Sequence, residues 1–387
     1  MHAKRADMSW SEVTARRMAR HALTKPASGA RPADIAGVLC GAHAQVLSAA
    51  ELSIGRRIAG GTRTDVQHAL WTDRTLIKTF GPRGTVHLLP TRDLPTWTGA
   101  LSALPSSVPS HPDPVRFTPA QADEVIAAIG DALTEGDLTV DELTDEIRRR
   151  TGPWAVERTM DAFQTKWPRW RQLTSTAAHR GVLCFGPERG RNVTYTNPRR
   201  WLPGFRPGVG ETALPTIVER YLFAYGPALP QHFARWLAIP PRTAVRLFNQ
   251  MASDLQAVEV EGEPMWILAG DTGTLPSHRG IRLLPYFDPY VVAGQPRNRL
   301  FPGAAARRAL TPTGGAGNYQ VVLVNGIVGG VWHQRRAGRK VAITVEPLRA
   351  LTPKLRRELD DESELVATVM EAETTLRIGK VTVGPHA

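Results

Sequence analysis

"TPAQADEVIAAIGDALTEGDLTVDELTDEIRRRTG", Thr118 to Gly152, holds two helices whose ends can be read directly from the residues. Thr118 and Thr139 each precede an apolar-periodic run and have Gln or Glu three residues later, and Gly152 closes the second run. "DAFQTKWPRWRQLTSTAAHRG" (161–181) predicts a third helical segment that starts near Trp170, after Pro168, and ends at Gly181. "VLCF" and "VTYTN" then read as short strands around the Gly-rich tip "GPERGRN". Three helices followed by a hairpin is the order of a winged helix.

The order recurs at 213–270. "ALPTIVERYLFAYG" and "ALPQHFARWLAI" read as helices, "PPRTAVRLFNQMASDL" opens with prolines suited to a first turn, and "QAVEVEGEPMWIL" reads as strand, turn, strand. It recurs less cleanly at 9–90, where helical "SWSEVTARRMARHAL", the 33–59 stretch and "TRTDVQHALWTDRTLIKTFG" precede "RGTVHLLP". Beyond residue 281 the character changes to β-branched runs joined by turn signals, Asn325-Gly326 among them, with one helix in "TPKLRRELDDESELVATVMEAE" before a last strand. The expected fold class is α+β, with three tandem winged-helix domains (1–104, 118–206, 210–278) followed by a C-terminal antiparallel β-barrel with one helix (281–387). "LPSSVPSHPDPVRF" (104–117) and "NPRRWLPGFRPGVG" (197–210) read as linkers.

Composition narrows the partners. The chain has no apolar run of about 18 residues, which argues against a membrane span. Its charged N-terminal stretch lacks the apolar core of a secretory signal. Two isolated cysteines, Cys40 and Cys184, form neither a disulfide framework nor a metal knuckle. A reducing cytoplasm fits these features. Lys and Arg number 48 against 36 acidic residues, and the excess is clustered. From Arg158 to Arg206 the net charge is +8, and from Arg56 to Arg92 it is +5. Clustered positive charge indicates a polyanion, or else a solvated basic face.

One apolar segment carries polar residues at its centre: "VLCGAHAQVLSAAELSIGRRIAG", Val38 to Gly60, with His43 and Gln45 flanking Ala44. The pieces "GAHAQV", "RGTVHLLP" (83–90), "YLFAYGPA" (221–228), "IRLLPYFDPYVVAG" (281–294) and "VNGIVGGVW" (324–332) occur in this order along the chain. In them the sequence resembles the AlkZ/AlkX family of winged-helix DNA glycosylases. The resemblance implies three winged helices and a β-barrel around a DNA channel, and a catalytic Gln-Φ-Gln or Gln-Φ-Asp motif, with Φ aliphatic, in the first winged helix. His43, Ala44 and Gln45 stand at those positions, so His replaces the first Gln. Relatives with His-Φ-Gln resemble self-resistance glycosylases found beside gene clusters for DNA-alkylating antibiotics.

On an α-helix, residues two apart point about 200° away from each other. A shared site at His43 and Gln45 therefore requires the chain to leave regular helix around Ala42–Gln45, which Gly41 makes easy. Neutral imidazole can take a proton from water near pH 7, and the Gln45 amide can align that water. Such a pair suits a leaving group that is already activated, such as a guanine alkylated at N7. The expected activity is that of a monofunctional DNA glycosylase without metal or cofactor, acting as a monomer on double-stranded DNA carrying bulky N7-alkylpurine lesions, interstrand crosslinks being one possible form. Arg83, Thr85 and His87 are candidates to face DNA, or else Arg83 only braces a turn. Lys166, Arg169, Arg171, Arg189 and Arg191 are candidate DNA contacts, with Trp167 and Trp170 either among them or packed in the core. "FDPY" and "YGPA" read as structural.

Two other classes compete with the glycosylase. A non-catalytic winged-helix transcriptional regulator would concentrate base-reading side chains on one recognition helix and has no use for the His43–Gln45 pair. A nucleotide- or RNA-binding scaffold lacks support, because "TGGAGN" (313–318) has no following lysine-bearing helix and reads as a loop.

Overall fold

The computed structural model describes residues 6–104, 112, 115–161, 165–273, 275 and 279–386. Most of the 104–117 linker lies outside these, as does residue 278, where the third helical unit was expected to end. The architecture is mixed α+β, and the chain divides into two compact units, Met1–Asp73 with Val218–Trp236 and Pro240–Ala387, and Arg74–Ile217 with Leu237–Ile239.

In the second unit, helix Pro119–Glu135 starts at a Thr118/Gln121 capping box and helix Val140–Thr151 at a Thr139/Glu142 box. Each box satisfies backbone N–H groups that the first turn leaves without a partner. The apolar stripes of both helices, Val125, Ile129, Leu133, Leu143 and Ile147, bury against Trp170, Leu183, Phe185 and Tyr195. Strand Leu138–Thr139 joins the hairpin Cys184–Arg189/Asn192–Thr196 as a third strand. Two segments differ from expectation. Arg158–Asp161 and Lys166–Pro168 form an extra hairpin, and the α-helix starts only at Thr174, after a 3-10 turn over Arg169–Leu173. Pro168 drives the residue before it out of helical geometry, which favours the strand. The run expected to be helical to Phe80 is helical only over Arg63–Trp71. "LIKTF" (76–80) is instead a strand paired with Val86–Pro90, since alternation and β-branched or aromatic content prevail there.

In the first unit, helix Trp10–Arg20 is capped by Ser9 and Glu12. Strand Ala6–Met8 adds in parallel to the hairpin Leu255–Val260/Glu263–Leu268. The C-terminal sheet has five strands in the order Ile281–Leu284, Gln320–Val324, Ile327–Ala337, Lys340–Pro347, Glu373–Ile378, and it is curled into a half-barrel. Asn325 and Gly326 both take positive φ in the tight turn between the second and third strands, as their sequence demands. The expectation of a wholly antiparallel barrel is corrected here, because the last pair is parallel. Helix Pro353–Met370 lies between those strands and carries the chain back to the end where it started, so the final strand must run in the same direction.

This sheet does not fold over an isolated core. Its residues Ile281, Leu283, Val322, Trp332 and Ile343 pack with Leu359, Val366 and Val369, and with Leu52 of helix Leu47–Gly55. Two consecutive arginines just after that helix lock the arrangement. Arg57 makes a two-pronged pair with Asp288, at 2.8 and 2.9 Å, with both side chains fully buried. Arg56 reaches Glu362 at 2.6 Å, and Glu362 also accepts from the Leu283 N–H at 2.9 Å. Both arginines belong to the stretch counted above as a basic surface, so that count overstates the charge offered to a partner.

Removing one member of a buried pair leaves the other charged and desolvated, at a cost of about 3–5 kcal/mol. Arg57→Ala should therefore lower the urea midpoint severely, whereas Lys354→Ala, removing an exposed partner of Glu358, should barely move it. Equal midpoints for the two variants would refute the locking role.

Candidate active site

Helix Pro32–Val38 stops because the next turn reverses. Cys40 and Gly41 take φ of 56° and 98° in succession, and the Gly41 N–H donates back to Ala36 O at 2.8 Å. A second residue in left-handed geometry is affordable here because Gly41 has no Cβ. The chain then runs extended through Ala42–His43 and re-enters helix at Leu47. His43 and Gln45 thus lie in a non-helical crossing between two helices. The turn is held from outside by the Tyr225 hydroxyl, which donates to Leu39 O at 2.7 Å.

The two side chains meet solvent differently. His43 is only 7% exposed, between fully buried Ala42 and Ala44, while Gln45 is exposed. The Phe287 ring lies 5.8 Å from the His43 ring, tilted by 30°. Phe287 comes from "FDPY", the run read from sequence as structural. Its neighbour Asp288 does have a structural task, since it caps the short helix Pro289–Ala293 and accepts from Arg57, Ser53 and the Tyr290 N–H. Burial alone would raise the Asp288 carboxyl, but the charge and hydrogen bonds of Arg57, with the Ser53 hydroxyl, outweigh it and hold the group below its usual range. It stays ionised and committed to Arg57, and is no general base.

The other expected site residues lie in the second unit. Arg83 and Gly84, with Ser102, Ser175, Thr176 and Arg180, line a polar cleft of about 420 Å³. Thr85 bonds back to Pro82 O at 3.0 Å. His87 is turned inward. It is 2% exposed, and its Nδ1 lies 2.8 Å from Thr85 O. Burial, helped by the charge of Arg83, pushes its imidazole down to about 3, so it is neutral and braces the turn.

Arg169 is likewise turned toward the protein. It donates to Val115 O and Arg116 O at 2.7 and 2.6 Å and lies over the Phe117 ring. Trp170 is fully buried and donates to Thr144 Oγ1. Trp167, by contrast, is 42% exposed, with the Arg171 guanidinium 3.9 Å above its ring and exposed Lys166 beside it in sequence. Arg189 pairs with Glu142, and Arg191 is exposed next to the hairpin tip. Arg180 pairs with Asp123 and Arg200 with Asp137, so acidic side chains from 118–152 offset part of the positive charge of 158–206. Such exposed pairs contribute little to stability. The Phe287–His43 contact joins residues remote in sequence, and no local pattern announces it.

A model of the DNA glycosylase AlkZ-like family matches residues 37–369. An interstrand DNA cross-link repair glycosylase from Streptomyces sahachiroi is 33% identical over 336 residues, covering 84% of this chain and 87% of the relative. The solved structure of Streptomyces sahachiroi DNA glycosylase AlkZ superposes with a TM-score of 0.80 at 29% identity, covering 96% of this chain and all of that one.

Two outcomes follow from the charges. The imidazoles of His21 and His87 are both pushed down to about 3, His21 mainly by burial and then by the charge of Arg57. In the unfolded chain they take up protons near 6.5, so the unfolded state binds more protons between these values. Stability should be complete above about pH 7 and fall as pH drops from 6.5 toward 3, a slope that His87→Gln should reduce in pH-dependent urea melts. Arg191→Glu should weaken binding to undamaged duplex and flatten its salt dependence, whereas Arg169→Glu should chiefly lower stability. Anisotropy titrations at several salt concentrations distinguish the two, and an Arg191→Glu protein with unchanged affinity would mean that this tip is a solvated face.

Proposed function

This chain belongs to the AlkZ-like DNA glycosylase family, and from that premise we propose that it hydrolyses the N-glycosidic bond of bulky N7-alkylated purines in duplex DNA. His43 acts as the base that relieves water of a proton, and Gln45 aligns that water. The observation that carries this reading is the helix break at Cys40–Val46, which sets a buried imidazole and an exposed carboxamide two residues apart on extended backbone. A cationic N7-alkylguanine departs readily, so an oxocarbenium-like sugar can form without a carboxylate driving the leaving group off. The relative's name suggests that crosslinked purines are among the substrates, and the His-Φ-Gln pattern suggests self-resistance to a DNA-alkylating natural product.

We read 1–104, 118–206 and 210–278 as winged helices and 281–387 as a β module. Supporting this, the second segment has three helices followed by a hairpin, and the third has helices Gly210–Tyr225, Pro230–Leu237 and Pro241–Gln250 before its hairpin. Exposed Lys166, Arg191 and the Arg171–Trp167 stack suit contact with the DNA backbone, and Arg83 with Arg180 suits a phosphate in the polar cleft. The protein works as a monomer at the nucleoid.

His43→Ala should slow single-turnover excision by roughly 10²–10⁴-fold while leaving duplex affinity intact. The loss should be smaller for N7-methylguanine than for a less labile adduct. Gln45→Ala should slow excision, and Gln45→Asp should retain it. A folded His43→Ala protein excising at the wild-type rate would reduce His43 to a core histidine.

A further inference from the structure

A group of rings adjoins His43 through Phe287, and water activation does not itself require it. Phe287 is next to the His43 ring, and the His386 ring stands edge-on to Phe287 at 5.4 Å and to Tyr286 at 5.2 Å. The Tyr286 hydroxyl lies 3.5 Å from His333 Nδ1. Tyr286, Phe287 and His386 are each half-buried. The ring cluster of Tyr221, Tyr225, Phe233 and Trp236 in the same unit is buried, as a packing role demands. Partly open aromatic faces can stack on a planar ligand.

The backbone supports this reading. Phe287 has φ of 55°, a conformation that bulky residues seldom enter. It is held there from two sides. Its N–H donates to Gly317 O at 2.9 Å, and Asp288 is clamped by Arg57. A Cβ on Gly317, itself at φ +108°, would lie 3.0 Å from Phe287 Cδ1 and 2.9 Å from Val292 Cγ2, so glycine lets the 313–318 loop close on Phe287. The His386 N–H donates to Asn318 O at 2.7 Å, and Asn318 Nδ2 donates back to His386 O at 2.6 Å, tying the tail to the same loop. A strained residue fixed by this many contacts points to use rather than accident.

We propose that Phe287, flanked by Tyr286 and His386, is the face that receives the departing base, and that it selects a cationic N7-alkylpurine over the neutral purine. This rests on the hydrolase reading above and assigns its leaving-group subsite. A positive ring stacked on a π face gains an electrostatic attraction that a neutral purine lacks, worth about five- to tenfold in affinity. The 313–318 loop, which has no phosphate-binding pattern, then serves to hold Phe287.

The test uses the full-length protein and two duplexes, one with 2′-fluoro-N7-methyldeoxyguanosine, whose fluorine blocks cleavage, and one with 2′-fluorodeoxyguanosine. Wild type should favour the methylated duplex by about five- to tenfold. Phe287→Leu should lose most of that preference with unmodified-duplex affinity unchanged, Phe287→Tyr should keep it, and His386→Ala should weaken it. A folded Phe287→Leu protein that keeps the preference, or that loses affinity for both duplexes alike, would overturn the proposal. Should Phe287→Leu not fold, an undiminished preference in His386→Ala overturns it instead. Because neither duplex is cleaved, failure here leaves base release by the wild type standing, and failure of base release on a cleavable duplex would count against the hydrolase reading separately.

Discussion

The buried pair between Arg57 and Asp288 is the constraint on which the first unit depends. Its desolvation cost is large, and it is offset only because every polar contact is satisfied. One Asp288 oxygen accepts from Arg57 and the Tyr290 N–H, and the other accepts from Arg57 and the Ser53 hydroxyl. Arg57 also donates to His21 O and Ser53 O. A single guanidinium thus ties three remote stretches of chain, around 21, 53 and 288, into one register. Arg56 turns the other way to Glu362 and fixes the C-terminal helix against the same helix end.

The consequence for chemistry is positional. Asp288 is held, so Phe287 beside it is held, and the Phe287 ring meets His43. A second anchor of the crossing is the reversal at Cys40–Gly41, tied to Tyr225. A carboxylate adjoins this arrangement in sequence, yet it is neutralised by Arg57. The proposed catalyst therefore works with an imidazole and a carboxamide, which matches a leaving group that already carries its activating charge.

Local signals in the sequence were dependable. The capping boxes at Thr118 and Thr139, the Asn325-Gly326 turn and the helix break beside Gly41 all stand where their residues required them. Competition between neighbouring signals was less legible. "LIKTF" followed a helical run without a breaker and was absorbed into it, and the 158–168 hairpin was hidden by the helix after it. The parallel last strand depends on which way helix Pro353–Met370 returns, and no strand pattern records that. Charge counting along the chain misled most. Arg56, Arg57 and Arg169 look like surface cations in sequence, but ion pairs and carbonyls far along the chain draw them inward. The burial of His87 is equally hidden, since a motif position carries no record of it.

The most direct measurement follows the products of one turnover. A duplex with a single N7-alkylguanine is mixed with excess protein, and the mixture is resolved by mass spectrometry with and without borohydride. The account predicts free alkylguanine and an abasic site in equal amounts, with the strand uncut until alkali is added and no protein–DNA adduct trapped. Tight binding with the lesion base still attached to its sugar, or a trapped covalent adduct, would contradict it.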